Sequence, residues 1–469
     1  MVEQISVDVL VIGGGLAGLR AAVEAATLGR RVLLVSKTEP GTDNCSAAAG
    51  GHLSGAVGGR DEAGYLGALQ EYDGGRADSC LQRILAYDSG AALTELLQRF
   101  EIEANVKHGT LTMAGPARWW GRPMTQKLAA FARNQGVEMR WPICVSRLLM
   151  HEDACVGAIG LDLESGATVG ISAKATVLCG GGHSAIYPRH DNPGAPMGDC
   201  VLLALHAGAR VRDMGFCKFH TVGLAEGPEP QDILASGLAL AKARFTLEDG
   251  TPIERRELAG IWEGRASGLE RDDARFDALA DMTHLDWDGD PDLAAILEAV
   301  PGAAPARERP VRVSPLAHYT PGGIGVDAHG WTGVTGLYAA GECTGGVFGA
   351  DRPGGAALTD CVVFGRRAGN EAARVCRDLT APVWPDVDPI DLDGSDNPGP
   401  LRDEARWLMW NYSGFADTPD GLILCARRLS EIAEIAREMR PAGIDGWQAL
   451  HALHCVSMVG NLVARSRCG

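Results

Sequence analysis

Residues 7–37, VDVLVIGGGLAGLRAAVEAATLGRRVLLVSK, constrain the chain more than any other stretch. Residues 7–12 form a largely apolar run rich in β-branched side chains, the pattern of a buried parallel strand. Gly13, Gly15 and Gly18 follow in G-x-G-x-x-G spacing. Leu16, Leu19, Val23 and Ala26 then recur at helical spacing, and Gly29 stands where a helix would stop. RVLLVS reads as the next buried strand. In such a unit Gly13 permits the tight turn, Gly15 lets the backbone approach a pyrophosphate, and Gly18 lets helix and strand pack closely. The helix N-terminus would face phosphates with N–H groups and the positive end of its dipole. The unit therefore predicts a dinucleotide ligand. One element departs from the usual pattern: the second strand ends in Ser36-Lys37 rather than in an acid for a ribose hydroxyl.

A chain of 469 residues exceeds what one hydrophobic core serves, so two or three domains are expected. The formal net charge is −17 with no basic cluster, which argues against nucleic acid as a partner. An acidic chain that binds an anion needs local arginines, which singles out Arg residues in glycine-rich loops. The 13 cysteines include no C-x-x-C pair, so reduced thiols in a cytoplasmic protein are a simpler reading than disulfides or a zinc ribbon. No metal site is expected. No apolar run reaches the roughly 18 residues of a membrane span, and the N-terminus lacks the basic region of a signal peptide.

Further along, residues 41–56 are small and Gly/Ala-rich. Helices are predicted over 79–100, 124–135 and 197–211. Residues 136–182 alternate short β-type runs with turns and end in the cluster Gly180–Gly182. Residues 221–310 are charged and Pro-punctuated, as an inserted domain would be. Strand-into-glycine sequence resumes after 311, notably in GVTGLYAAGEC (333–343). A Pro/Asp-rich stretch, 381–400, has few residues to bury and reads as a linker. Residues 401–464 are helical in pattern. The predicted division is a nucleotide domain in two parts, 1–220 and 311–380, around an insertion at 221–310, then the linker and a helical module at 401–469. Three separated glycine clusters suit an extended cofactor such as FAD better than a nicotinamide.

Taken in order, DVLVIGGGLAGLRAA, VLLVSK, SAAAGG, VLCGGGHSAIY, NPGAPMGD, ALHAGARVRDMGFCKFH, HYTPGGIGVD, GLYAAGECTGGVFGADRPGGAALTDCVVFGRRAG and LRDEARWLMWNYSG resemble the fumarate reductase/succinate dehydrogenase flavoprotein family, which includes L-aspartate oxidase. The Ser-Lys strand ending belongs to that family's pattern. The resemblance implies an α/β fold: a Rossmann-like FAD-binding domain, an inserted α+β capping domain and a C-terminal helical module. It also implies hydride transfer between flavin N5 and a carbon next to a carboxylate, with a proton moving at the neighbouring position. Gly13, Gly15, Leu16, Ala17 and Gly18 fall on the dinucleotide turn, and Ser36 and Lys37 on the adenosine end. Ala48, Ala49, Gly50 and Gly51 match a small-residue loop by the flavin. Val145, Gly180, Gly181, Asp199, Glu342 and Leu358 match further cofactor contacts, and Gly322 and Gly323 fall near the flavin.

For substrate, His220, His318 and Arg352 fall on the family's carboxylate-binding positions. Two imidazoles and a forked guanidinium suit a carboxylate. The family's proton donor is an arginine in the capping domain; here Arg256, in IERRELAG, is the nearest candidate beside the alternative of a solvated helix face. Other departures cluster around the substrate. Thr221 directly follows His220, and Asp351, Pro353, Ala356 and Ala357 replace usual residues, with Asp351 placed to weaken Arg352's pull on an anion. Asn44 occupies the position of a flavin-linking histidine, so non-covalent FAD is expected. The segment 112–123 lacks the glutamate of L-aspartate oxidase and carries Trp119-Trp120, a bulkier wall or a packing surface. Three functions stay open: an oxidoreductase for a succinate-like acid, an L-aspartate-oxidase-type enzyme, and a catalytically silent flavoprotein of an electron-transfer complex. The implied partners are a small carboxylic acid and an electron-transfer subunit.

Overall fold

A computed structural model describes residues 2–113, 121–193, 196–225, 242–247, 249–254, 257, 278–290, 293–294, 301–377, 384, 387–415 and 417–468. Its centre is a seven-stranded sheet. Strand Val2–Ile12 pairs in parallel with Val32–Val35 on one side and Thr168–Leu178 on the other. Glu138–Arg140 extends the first edge. Ala154–Asp162 and Ile143–His151 continue the other side antiparallel, and Leu337–Ala339 joins Thr168–Leu178 in parallel. Val9 and Val11 feed one hydrophobic core, and Leu10 and Ile12 another. Burial on both faces explains why the strand reads as a near-continuous apolar run.

Helix Leu16–Thr27 follows the first strand and is closed by Gly29 at φ +75°. It crosses helix Ala356–Val375 closely: a Cβ on Gly365 would stand 2.7 Å from Ala17 O, and one on Gly369 2.3 Å from Ala21 O. The predicted helix at 197–211 is shorter, Asp199–His206. Gly198 at φ +85° and Gly208 at φ +89° bracket it in left-handed backbone that ends α-helix on both sides.

Residues 218–319 carry a five-stranded antiparallel sheet in the order Lys218–Leu224, Val311–Tyr319, Ala278–Asp281, Arg244–Thr246, Pro252–Ile253. Its first two strands are the first and last of these in sequence. His220 lies on one and His318 on the other, with His220 opposite Leu316 in the register. This pairing brings together two histidines almost a hundred residues apart in sequence.

Three helices, Gly399–Ser413, Pro419–Glu438 and Gly443–Arg467, pack together at the C-terminal end. The segment before them is more anchored than its composition suggests. Ile390 and Leu392 pack beside Cys144, Leu161 and Trp447, and the Ile390 N–H donates to Thr168 Oγ1 at 2.7 Å. All thirteen cysteines are free thiols. Among the described residues no helix is long and apolar enough to cross a membrane.

Candidate active site

The glycine turn behaves in two ways. A Cβ on Gly13, at φ +121°, would lie 2.2 Å from Cys179 O, and one on Gly18 would lie 2.0 Å from Gly13 O. The protein's own packing demands those two glycines. Gly15 is different, because the nearest protein atom to its Cβ position is Ser46 Oγ at 3.4 Å. The space Gly15 leaves opens into a cleft of about 930 Å³ of empty volume. Gly13, Gly15, Leu16 and Ala17 form one wall, and Ser36, Lys37 and Val145 line it further along. Gly180, Gly181, Asp199 and Glu342 line it too. A long cleft with a helix N-terminus and an unfilled glycine cradle fits an extended dinucleotide.

Other positions fall elsewhere. Gly18 sits behind the turn, and Leu358 is buried in the first turn of helix Ala356–Val375, outside the cleft walls. The wall nearest residues 48–51 is made by Asp43, Asn44, Cys45 and Ser46 instead. Ala49 and Gly51 hold the edges of the next loop, accepting from Gly121 N–H at 2.8 Å and Met113 N–H at 3.2 Å. Asn44 caps the short helix Cys45–Ala48, its Oδ1 accepting from Ala47 N–H at 3.0 Å. Gly322 and Gly323 are held by close protein packing: their Cβ positions would meet Asp213 O at 2.1 Å and Cys343 O at 2.2 Å. Arg256, Trp119 and Trp120 lie outside the described residues.

At the Ser36-Lys37 end, Asp199 accepts from Lys37 Nζ at 3.1 Å and faces His451 Nε2 at 2.9 Å. Burial pushes the Asp199 carboxyl up, but Lys37 and His451 overcome it and hold it well below the usual carboxylate range. Trp447 stacks on the His451 ring, with centroids 5.4 Å apart. A C-terminal helix thus reaches the cofactor cleft through His451. Sequence reasoning missed that residue; nothing local in HALHC marks it.

Beyond the Glu342 end stand His220, His318 and Arg352. The two imidazole rings are 4.0 Å apart. Arg352 is buried and stacks over Tyr319 at 4.4 Å. It donates from one terminal nitrogen to His318 Nε2 at 3.2 Å and from the other to Pro353 O at 3.3 Å. Its Nε has no partner among the described residues. Asp351 leaves the guanidinium alone: it is paired with Lys218 Nζ at 2.8 Å and accepts the Arg352 backbone N–H. The expected weakening of Arg352 by Asp351 is therefore offset, because Lys218 already neutralises that carboxylate.

This cluster adjoins the cleft. Glu342, a wall residue, accepts from Thr320 N–H at 3.1 Å, two residues past His318. Cys45, another wall residue, donates to Asn192 Oδ1 at 3.1 Å, and Asn192 donates to His318 O at 3.1 Å. Burial pushes the Asp191, Glu342 and Asp360 carboxyls up to about 7 each. Burial, reinforced by neighbouring positive charge, pushes His220 down to about 3 and His318 well below its ordinary value. Asp191, His220 and His318 offer ligand atoms within 4.8 Å of one another. Arg352 and Lys218 crowd the same space with positive charge, which suits an anion better than a metal ion.

The FAD binding domain family model matches residues 8–358. L-aspartate oxidase of Caulobacter vibrioides is 30% identical over 476 residues, covering 92% of each chain. The chain belongs to the fumarate reductase/succinate dehydrogenase flavoprotein family, which includes the L-aspartate oxidases. It is an FAD-dependent oxidoreductase, and FAD is its cofactor. A fumarate reductase (CoM/CoB) chain of Methanothermobacter marburgensis is 28% identical over 510 residues, covering 98% of this chain and 91% of that protein. The fold is that of Mycobacterium smegmatis Sdh1, at a TM-score of 0.85 and 24% identity over all of this chain and 87% of that one. His451 lies outside the span that the family model matches.

Proposed function

We propose that the protein transfers a hydride between FAD, bound without a covalent link, and a small succinate- or fumarate-like carboxylic acid. The observation that carries this reading is the buried Arg352, whose Nε has no partner among the described residues, facing two neutral histidines at the end of the cofactor cleft. Bound FAD would supply the two-electron chemistry. The chain's part is binding, orientation and proton handling. Gly13, Gly15, Leu16 and Ala17 would cradle the pyrophosphate at the helix N-terminus. Ser36, Lys37, Val145 and Asp199 would take the adenosine end, with Gly180, Gly181 and Glu342 nearer the ring. Asn44, engaged as a helix cap, leaves no imidazole for a covalent link. Arg352 would hold one substrate carboxylate with charge-assisted hydrogen bonds, flanked by His220 and His318. Asp43, Cys45 and Ser46, rather than residues 48–51 or Leu358, would face the cofactor from the loop side.

A second reading is an L-aspartate-oxidase-type activity, favoured by the 30% identity to one such enzyme along almost the full length of both chains. In either case an electron-transfer subunit is a fitting partner for reduced FAD. The test is anaerobic bleaching of the bound FAD by a panel of dicarboxylates and amino acids. Bleaching by succinate supports the first reading. Bleaching by L-aspartate, with peroxide formed on admitting air, moves the assignment to the second. No bleaching by any member means a flavoprotein that has lost carboxylate chemistry.

A further inference from the structure

We propose that the Lys218–Asp351 ion pair is a clamp on the Arg352 backbone, and that by fixing this peptide it sets how tightly the site holds a carboxylate. The proposal rests on the carboxylate reading of the Arg352 cluster. Arg352 lies in a glycine-rich loop, between Gly349 at φ +62° and Gly355 at φ +80°. The loop is tied on either side of the arginine. Ala350 N–H donates to Asp73 O at 2.9 Å, and Gly355 O accepts from Ser54 N–H at 3.2 Å. Residues 351–355 belong to no helix or strand. Among the described residues, the Arg352 backbone is bonded by the ion pair alone. Asp351 Oδ1 accepts from Arg352 N–H at 2.6 Å, and Lys218 Nζ donates to Arg352 O at 3.1 Å. The pair closes on itself, because Lys218 Nζ also lies 2.8 Å from each Asp351 oxygen. Both polar groups of a buried residue's backbone are thereby satisfied by one pair of side chains.

Donor counting separates a clamp from a direct substrate contact. An ammonium group has three N–H donors. Lys218 Nζ faces three acceptors, the two Asp351 oxygens and Arg352 O, so no donor is left over for a substrate. The guanidinium is the opposite case, since its buried Nε has no partner among the described residues. Lys218 therefore holds the arginine, and the arginine is left to hold the anion. Its place in the sheet suits that task. Lys218 opens the strand Lys218–Leu224, which also carries His220, and stands opposite Tyr319, whose ring lies under the Arg352 guanidinium. One strand thus sets a histidine of the site directly and the arginine through the ion pair. A forked donor recognises a carboxylate only while its geometry is fixed, so freedom in the Arg352 peptide costs affinity. Lys218 and Asp351 act through Arg352 rather than on the substrate, which makes them positioning residues. Asp351 is one of the positions where the chain departs from the family's pattern, so the clamp is a property of this chain.

The deciding variant is Lys218→Met/Asp351→Ala, which removes the pair without changing the net charge. As holoenzyme titrated with malonate, it should bind at least about fivefold more weakly than the wild type while retaining FAD; the loss stays below that of removing Arg352 because the pair is partly exposed. Acetate, with a single carboxylate, should lose affinity by the same factor. Lys218→Arg keeps the charge and the donors and should keep most of the affinity. Amide hydrogen exchange reads the clamp without any ligand. In the double variant, peptides covering residues 346–356 should show the Arg352 N–H exchanging at least about tenfold faster, with the rest of the holoenzyme unchanged. Unchanged malonate affinity or unchanged exchange in the double variant overturns the proposal. A loss confined to malonate also overturns it, since Lys218 would then be touching a second carboxylate. If the wild type binds neither malonate nor acetate, the carboxylate reading fails and the exchange data alone decide the clamp. If the double variant does not retain FAD, exchange in Asp351→Ala decides.

Discussion

Gly15→Ala separates what the glycine turn does for the fold from what it does for the cofactor. The backbone at Gly15 has φ −78° and ψ −175°, which alanine adopts without strain. The added Cβ would stand 3.4 Å from Ser46 Oγ and 3.8 Å from Asn44 Oδ1, tight but not overlapping. A methyl at this helix N-cap is mildly unfavourable, while the stiffer unfolded chain is favourable, so apoprotein stability should change by less than about 1 kcal/mol. The methyl would instead occupy the space left for the pyrophosphate. Losing one charge-assisted N–H contact costs about 1.5–3 kcal/mol. At about 1.4 kcal/mol per tenfold, FAD should bind roughly 10- to 100-fold more weakly. The assay is fluorescence titration of deflavinated protein with FAD beside a thermal melt of the same sample. Gly18→Ala is the contrast: its Cβ would fall 2.0 Å from Gly13 O, so the apoprotein itself should lose about 1–3 kcal/mol. Unchanged FAD affinity in Gly15→Ala, or an unfolded apoprotein, refutes the reasoning.

Other outcomes follow from the same geometry. His451→Gln removes a cation from Asp199 and should weaken FAD binding severalfold in the same titration, though the residue lies on a C-terminal helix. Asn44→Ala removes the cap on helix Cys45–Ala48 and should cost about 1 kcal/mol in a denaturant melt. Asp360 is buried, with its carboxyl raised from 3.8 to about 7. The folded state therefore binds its proton more tightly than the unfolded one, so its contribution to stability is full below pH about 4 and lost as pH rises through about 7. The melting temperature of Asp360→Asn apoprotein should fall less between pH 5.5 and 8 than that of the wild type.

The cofactor half of the site was legible because it is built from local pattern. A strand, a glycine turn and a helix are contiguous, and Gly13, Gly15 and Gly18 each have a steric reason that spacing alone reveals. His318 and Arg352 were legible through their motif context. The partners that tune them were not. Asp191 reaches His318 across 127 positions, Lys218 reaches Asp351 across 133, and His451 reaches Asp199 across 252. Each is an ordinary polar residue in its own segment and acquires a role only when the sheet pairing of residues 218–224 with 311–319, or the docking of the last helix, brings it into contact. The predicted helix at 197–211 came out too long for a similar reason: apolar periodicity continued past glycines whose left-handed backbone ends it.

The central claim is that Arg352, His318 and His220 seat a carboxylate against the FAD. Titration of the holoenzyme with malonate, followed by the difference spectrum of the bound FAD, tests it most directly. The wild type should show a saturable spectral shift, and Arg352→Ala should weaken malonate at least about 30-fold while retaining FAD, since a buried charge-assisted contact contributes about 2–3 kcal/mol. A malonate affinity that does not change when Arg352 is removed would contradict the account.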